Sequence, residues 1–227
     1  MTDIKHNLNN IQEKIKKSAI SCGRNPDEIK LIAVTKNVPS DIIQIGISNG
    51  ITIIGESYIQ EALEKFKSVK VPVSWHFIGH LQSNKAKYAV KIFDLIHSVD
   101  SIKLAEALNK EAKKIEKKQK ILIQVNTSLE STKSGSPPDK ALELVKSVKD
   151  FENIEIKGLM TMPPFFDDPE NAKPYFKALV DIGKQIQSFF NINITEFSMG
   201  MSGDFEAAIQ EGATMIRIGT AIFGERE

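Results

Sequence analysis

Eight short apolar runs, each separated from the next by a segment of helical periodicity, constrain this chain more than any other feature. The runs fall at 31–36, 51–54, 73–78, 93–97, 121–126, 154–160, 194–198 and 214–217. They are brief and rich in β-branched residues, as buried strands are. Helical stretches separate them near 40–49, 59–66, 84–90, 101–118, 138–149, 169–189 and 204–211. A further amphipathic helix comes first: Ile4, Leu8, Ile11, Ile15 and Ala19 recur at helical spacing, and Gly23 closes it. Strict alternation of strand and helix calls for parallel pairing with right-handed crossovers. Eight such units close into a single (β/α)8 TIM barrel, here with an extra N-terminal helix and residues 1–227 as one domain. An open doubly wound sheet places a glycine-rich turn after its first strand. Lys36-Asn37-Val38-Pro39 stands there instead.

Charge and cysteine content narrow the function. Thirty Lys+Arg against 29 Asp+Glu argue against a nucleic-acid binder. The lysine-rich stretch 110–120 is interleaved with Glu111 and Glu116 and reads as the wet face of a helix. The single cysteine, Cys22, forms no internal disulfide and suits a reducing, cytoplasmic setting. No apolar run is long enough to span a membrane, and residues 1–7 lack an apolar signal core. The four histidines predict no metal site. His76 and His80 are four apart, but Gly79 and the strand pattern take them off a helix, and His6 and His97 have no evident companions. His76 reads as a hydrogen-bonded barrel residue.

In such a barrel the chemistry sits at the carboxyl ends of the strands. The residues that core packing does not explain gather there: Lys36, Glu56-Ser57, Gly79-His80, Asn126, Ser198 to Ser202 and Arg217 to Thr220. Lys36 has an apolar strand behind it and an open mouth in front. Desolvation there would free its amine as a nucleophile toward a carbonyl; the ordinary alternative is a solvated rim lysine. The stretch Ser198-Met199-Gly200-Met201-Ser202-Gly203-Asp204 precedes a helix start. Its glycines and amides suit an anion, and the loops after strands seven and eight are where this fold holds phosphate. The alternative is a capped helix whose acids, Asp204 and Glu206, complement its dipole and oppose a phosphate. Arg217 stands among apolar neighbours and needs a partner. Either Glu196 or Glu56 supplies a carboxylate, or the guanidinium addresses a ligand's ring nitrogen or acidic group.

Several motifs occur in order: Ala33-Val34-Thr35-Lys36, Gly55-Glu56-Ser57-Tyr58-Ile59-Gln60-Glu61, Trp75-His76-Phe77-Ile78-Gly79-His80-Leu81-Gln82-Ser83-Asn84-Lys85 and Val125-Asn126. Lys133-Ser134-Gly135, Gly158-Leu159-Met160-Thr161-Met162, Ser198-Met199-Gly200-Met201-Ser202 and Arg217-Ile218-Gly219-Thr220 follow. Through them nearly the whole chain resembles the pyridoxal phosphate homeostasis proteins, which are similar to the barrel domain of bacterial alanine racemases. The resemblance implies pyridoxal 5'-phosphate as cofactor, held as a Schiff base on Lys36. It implies a phosphate site from Ser202, Gly219 and Thr220 with amides around Gly200 and Met201, and Arg217 facing the pyridine nitrogen. Ser198 and Ser57 complete the implied cofactor-binding set. The family usually carries asparagine at the position of Ser57, and the shorter serine would need a bridging water.

The same resemblance implies a monomeric binder and carrier in vitamin B6 homeostasis, with little or no turnover, serving enzymes that require the cofactor. A permanently protonated Arg217 opposes protonation of the ring and weakens it as an electron sink. Racemases of this geometry take a second base from an added C-terminal β domain, which a chain ending at 223–227 does not carry. The rival reading is an amino-acid racemase working as a dimer, with Tyr58 or His80 as base. A third is a Schiff-base aldolase in which Lys36 attacks a sugar phosphate. Should Lys36 not carry the aldehyde, Lys133 is the next lysine expected to.

Overall fold

A computed structural model describes residues 3–130 and 132–225. Met1, Thr2, Ser131, Arg226 and Glu227, of which the readings of the termini take in Met1, Thr2, Arg226 and Glu227, lie outside the described residues. Eight parallel strands form a closed barrel in sequence order: β1 (Lys30–Val34), β2 (Ile53–Glu56), β3 (Ser74–Phe77), β4 (Leu95–Val99), β5 (Gln119–Gln124), β6 (Ile154–Met160), β7 (Glu196–Ser198) and β8 (Met215–Ile218). β8 pairs with β1 in the register Ile32↔Arg217, which closes the ring. The (β/α)8 expectation is met.

The intervening helices are α2 (Ser40–Ser48), α3 (Ile59–Ser68), α4 (Ala86–Ile92), α5 (Ile102–Lys113), α6 (Pro138–Val148), α7 (Lys173–Phe190) and α8 (Phe205–Gln210), with a short α9 (Thr220–Phe223) after β8. The leading helix, α1 (Ile4–Ser21), starts where Asp3 accepts the His6 amide at 3.0 Å and buries the face predicted for it. It lies against α8 and α9, tied by Asn7 Nδ2 to Ile222 O and by Ser18 Oγ to Glu206 O, both at 3.0 Å.

Two helices depart from their expected spans. α5 ends at Lys113 rather than near 118, and Glu116 takes a left-handed φ of 52°. Lys117 then turns inward and donates to Val90 O and Phe93 O, each at 2.7 Å, so it serves the end of α4 instead of solvent. α7 begins at Lys173, because Pro169–Ala172 form a 3-10 turn capped by Asp168.

Side chains along β8 alternate, as a strand requires. Ile216 and Ile218 point outward into the layer between barrel and helices, while Met215 joins Ile32, Leu95, Leu122 and Met160 in a separate cluster inside the barrel. Each such buried side chain contributes roughly 2 kcal/mol through removal from water. This apolar plug fills the lumen, and the polar residues of the site stand above it.

Candidate functional site at the carboxyl-terminal mouth

Arg217 is the inward residue of β8 one step above the plug, and it is 3 % exposed. Its Nη1 donates to Ser198 Oγ at 2.7 Å and its Nη2 to Thr161 O at 2.9 Å. Neither carboxylate proposed for it is there: Glu196 pairs with Lys30, and Glu56 with Lys65 at 2.8 Å. Burial lowers Arg217 to about 10, which still leaves it a cation at neutral pH. The fixed contacts lie on the strand side, and the rest of the fork borders open space.

Behind Arg217 runs a chain of buried groups. His97 Nδ1 lies 2.9 Å from Ser198 Oγ, and His97 Nε2 lies 3.0 Å from His76 Nδ1. β4 and β7 are not neighbours, so the His97–Ser198 bond crosses the lumen. Arginine only donates, so Ser198 Oγ accepts from Arg217, and its one hydrogen finds an acceptor at His97 Nδ1. His97 then carries its proton on Nε2 and gives it to His76 Nδ1, which puts the His76 proton on Nε2. Burial holds both rings neutral, His76 at about 4 and His97 well below its ordinary value. His76 is the hydrogen-bonded barrel residue expected of it. His97, which looked companionless in sequence, is its partner. Among the described residues no group of three or more His, Cys, Asp or Glu is placed to hold a metal ion.

Lys36 stands two residues beyond the end of β1, past Thr35, and is exposed. Of the two readings of Lys36 the structure shows the solvated rim lysine: it stands past the end of β1 and is exposed, and the chain turns after it at Asn37, whose φ of 58° is left-handed. Two cavities meet there. Val34, Lys36, Met201 and Arg217 line both.

The first cavity, about 280 Å³, is bounded by Ser202, Gly203, Asp204, Gly219 and Thr220 on one side and by Phe165 and Phe166 on the other. The amides of Ser202 and Gly203 have no hydrogen-bond partner among the described residues. The Met201 amide is taken by Asp204 Oδ1 at 2.6 Å, so one expected anion donor is committed to the turn. Burial pushes the Asp204 carboxyl up, against the pull of that amide and of Arg217. Gly200, at φ 91°, accepts the Arg217 amide at 3.0 Å and lines neither cavity; it ties the loop to β8. Ser198 also lines neither cavity, and its hydroxyl is spent on Arg217 and His97.

The second cavity, about 380 Å³, takes in Ser57, Gly79, His80, Gln124, Lys133 and Ser134. A Cβ on Gly79 would stand 2.2 Å from Ser57 O, so glycine is what lets the end of β3 approach Ser57. Lys133 is paired with Glu130 at 3.0 Å. The aromatic wall went unread in the sequence: Phe166 stacks on Tyr175 at 5.7 Å, and Phe165 is 85 % exposed beside the cavity. The doublet Phe165-Phe166 in a loop after a strand end was the available signal.

An amine and a buried guanidinium at the carboxyl-terminal mouth of a (β/α)8 barrel define the class, and the family described as "Alanine racemase, N-terminal domain" matches residues 1–227. A pyridoxal phosphate homeostasis protein of Aquifex aeolicus is 41% identical over 221 residues, covering 97% of this chain and 97% of that one. PipY of Synechococcus elongatus PCC7942, whose structure was solved with PLP bound, is 32% identical, with a TM-score of 0.86 over 98% of this chain and 100% of that one. An alanine racemase of Clostridium difficile 630 is 16% identical with a TM-score of 0.74; this chain covers 56% of it, and the likeness is one of fold. The chain belongs to the alanine racemase N-terminal domain family, within its branch of pyridoxal phosphate homeostasis proteins.

Proposed function

We propose that this protein binds pyridoxal 5'-phosphate in its barrel mouth, holds it covalently through Lys36, and buffers and delivers it to enzymes that require it, with little or no turnover. One observation carries the reading: Lys36 and Arg217 share the wall between the two cavities, and uncommitted amides stand at one end of it. The residues present fit such a ligand. Ser202, Gly203 and Thr220 offer amides and hydroxyls to a phosphate dianion at the fold's habitual phosphate position. Val34 and Met201 would flank its ring, and Lys36 would supply a primary amine to its aldehyde.

When bound, the cofactor supplies an aldehyde for capture and a ring able to accept electrons. The protein's residues decide how far the second capacity is used. Arg217 keeps its own proton and presents a positive charge to the ring nitrogen. That charge is buried without a carboxylate bonded to it, since its partners are a hydroxyl and a carbonyl. Protonation of the ring is therefore opposed, and the site favours holding over carbanion chemistry. The exposure of Lys36 suits release as well as capture.

The test is to add pyridoxal phosphate to the purified protein and follow the absorbance of the lysine-bound form. The α-deuteron of D- and L-alanine is then monitored for loss. Binding that requires Lys36, with negligible exchange, supports the carrier. Fast exchange of both enantiomers establishes the racemase instead, and binding without a lysine-bound band favours an aldolase-like site.

A further inference from the structure

The motif Gly55-Glu56-Ser57-Tyr58-Ile59-Gln60-Glu61 reaches the cavities only through Ser57, yet its acids are not idle. Glu56, fully buried at the end of β2, accepts from Thr35 Oγ1 at 2.6 Å and from Lys65 Nζ at 2.8 Å. Lys65 also donates to Glu61 Oε1 at 2.6 Å and to Thr35 O at 2.5 Å. Glu61 Oε1 in turn accepts the Asn37 amide at 2.6 Å. Thr35 and Asn37 are the residues on either side of Lys36. The Thr35 carbonyl belongs to the peptide plane before the Lys36 Cα, and the Asn37 amide to the plane after it. The two ends of one i,i+4 ion pair on α3 thus pin both planes.

We propose that Glu61 and Lys65 are positioning residues for Lys36, fixing its backbone so that the amine is presented to an aldehyde at the mouth. The consequence for capture rests on the function proposed above; the clamp itself does not. Lys36 is exposed and its long side chain is otherwise free to wander, so its backbone is what the fold can fix. Asn37 holds a left-handed conformation, which asparagine adopts more readily than other non-glycine residues, and Glu61 takes its amide there. Misplacing a reacting group by an ångström costs on the order of a hundredfold in rate. Capture replaces the aldehyde's C=O double bond with a C=N double bond to neutral Nζ, and the carbonyl oxygen leaves with the amine's two hydrogens as water.

The test compares Glu61→Ala with Glu61→Gln, since glutamine keeps an oxygen for the Asn37 amide and alanine does not. Two ligands are used: pyridoxal 5'-phosphate, which can be captured, and pyridoxine 5'-phosphate, which lacks the aldehyde. Glu61→Ala is expected to slow capture roughly 10- to 100-fold, with pyridoxine 5'-phosphate affinity unchanged and capture restored in Glu61→Gln. In the ligand-free protein the Asn37 amide is expected to exchange slowly in wild type and Glu61→Gln, and fast in Glu61→Ala. Wild-type capture by Glu61→Ala, equal slowing in both variants, or a parallel loss of pyridoxine 5'-phosphate affinity overturns the proposal. If the wild type captures nothing at Lys36, the carrier reading fails, and the Asn37 exchange still decides the clamp.

Discussion

Met201 donates its amide to Asp204 Oδ1 at 2.6 Å, within the turn whose neighbouring amides, on Ser202 and Gly203, stand free at the first cavity. One acid thus shapes the proposed anion site and would at the same time oppose an anion in it. Asp204→Asn keeps the acceptor and removes the charge. Affinity for pyridoxine 5'-phosphate is expected to rise about tenfold, equivalent to about 1.4 kcal/mol. Isothermal titration checks this; weaker binding would mean that the carboxylate is needed beyond capping the turn.

Lys65 and Glu56 form a buried pair at 2.8 Å. Burial raises the Glu56 carboxyl while Lys65 and Thr35 pull it down, and among the described residues its Oε2 has no partner. Removing one partner strands the other away from water. Lys65→Met is expected to cost roughly 3–5 kcal/mol in urea unfolding, and Glu56→Gln/Lys65→Met to recover most of it. A double variant no better than the single would show that the pair's charges are not the source of the loss.

The neutral histidine chain makes stability depend on pH. His76 has its folded value lowered to about 4 from 6.5, so between these limits the unfolded chain binds more protons than the folded one. Stability from this group is full above 6.5 and is lost as pH falls toward 4. The loss is on the order of 3 kcal/mol. Glu56 and Asp204, raised by burial, act in the opposite sense. The difference between wild type and His76→Gln isolates the histidine: the wild type should lose ground to the variant on acidification. A difference independent of pH contradicts the assignment.

Arg217→Glu replaces the cation proposed to face the ring with a group that can share a proton with it. Two effects are expected: a downfield-to-upfield move of the ring ¹⁵N signal as the nitrogen becomes protonated, and faster α-deuteron exchange from alanine. An unchanged exchange rate in a folded, cofactor-loaded variant counts against the electronic argument.

The barrel was legible because strand and helix periods alternate without interruption, and a periodic pattern survives errors at its edges. Arg217 was legible because a guanidinium amid apolar strand residues must find a partner. Its actual partners were not, because a serine on the neighbouring strand and the carbonyl of Thr161 just past β6 carry no mark of that role, and His97 reaches Ser198 only across the lumen. Lys36 was found, but its exposure was not settled, since an apolar run marks the strand and not the surroundings of a residue two places past its end. The end of α5 was overrun because Lys117 reads as a surface lysine until α4 offers it two carbonyls.

The most direct measurement is borohydride reduction of the protein loaded with pyridoxal phosphate, followed by peptide mapping of the fixed adduct. The account predicts one modified residue, Lys36. An adduct on Lys133 across the second cavity, or none at all, would contradict it.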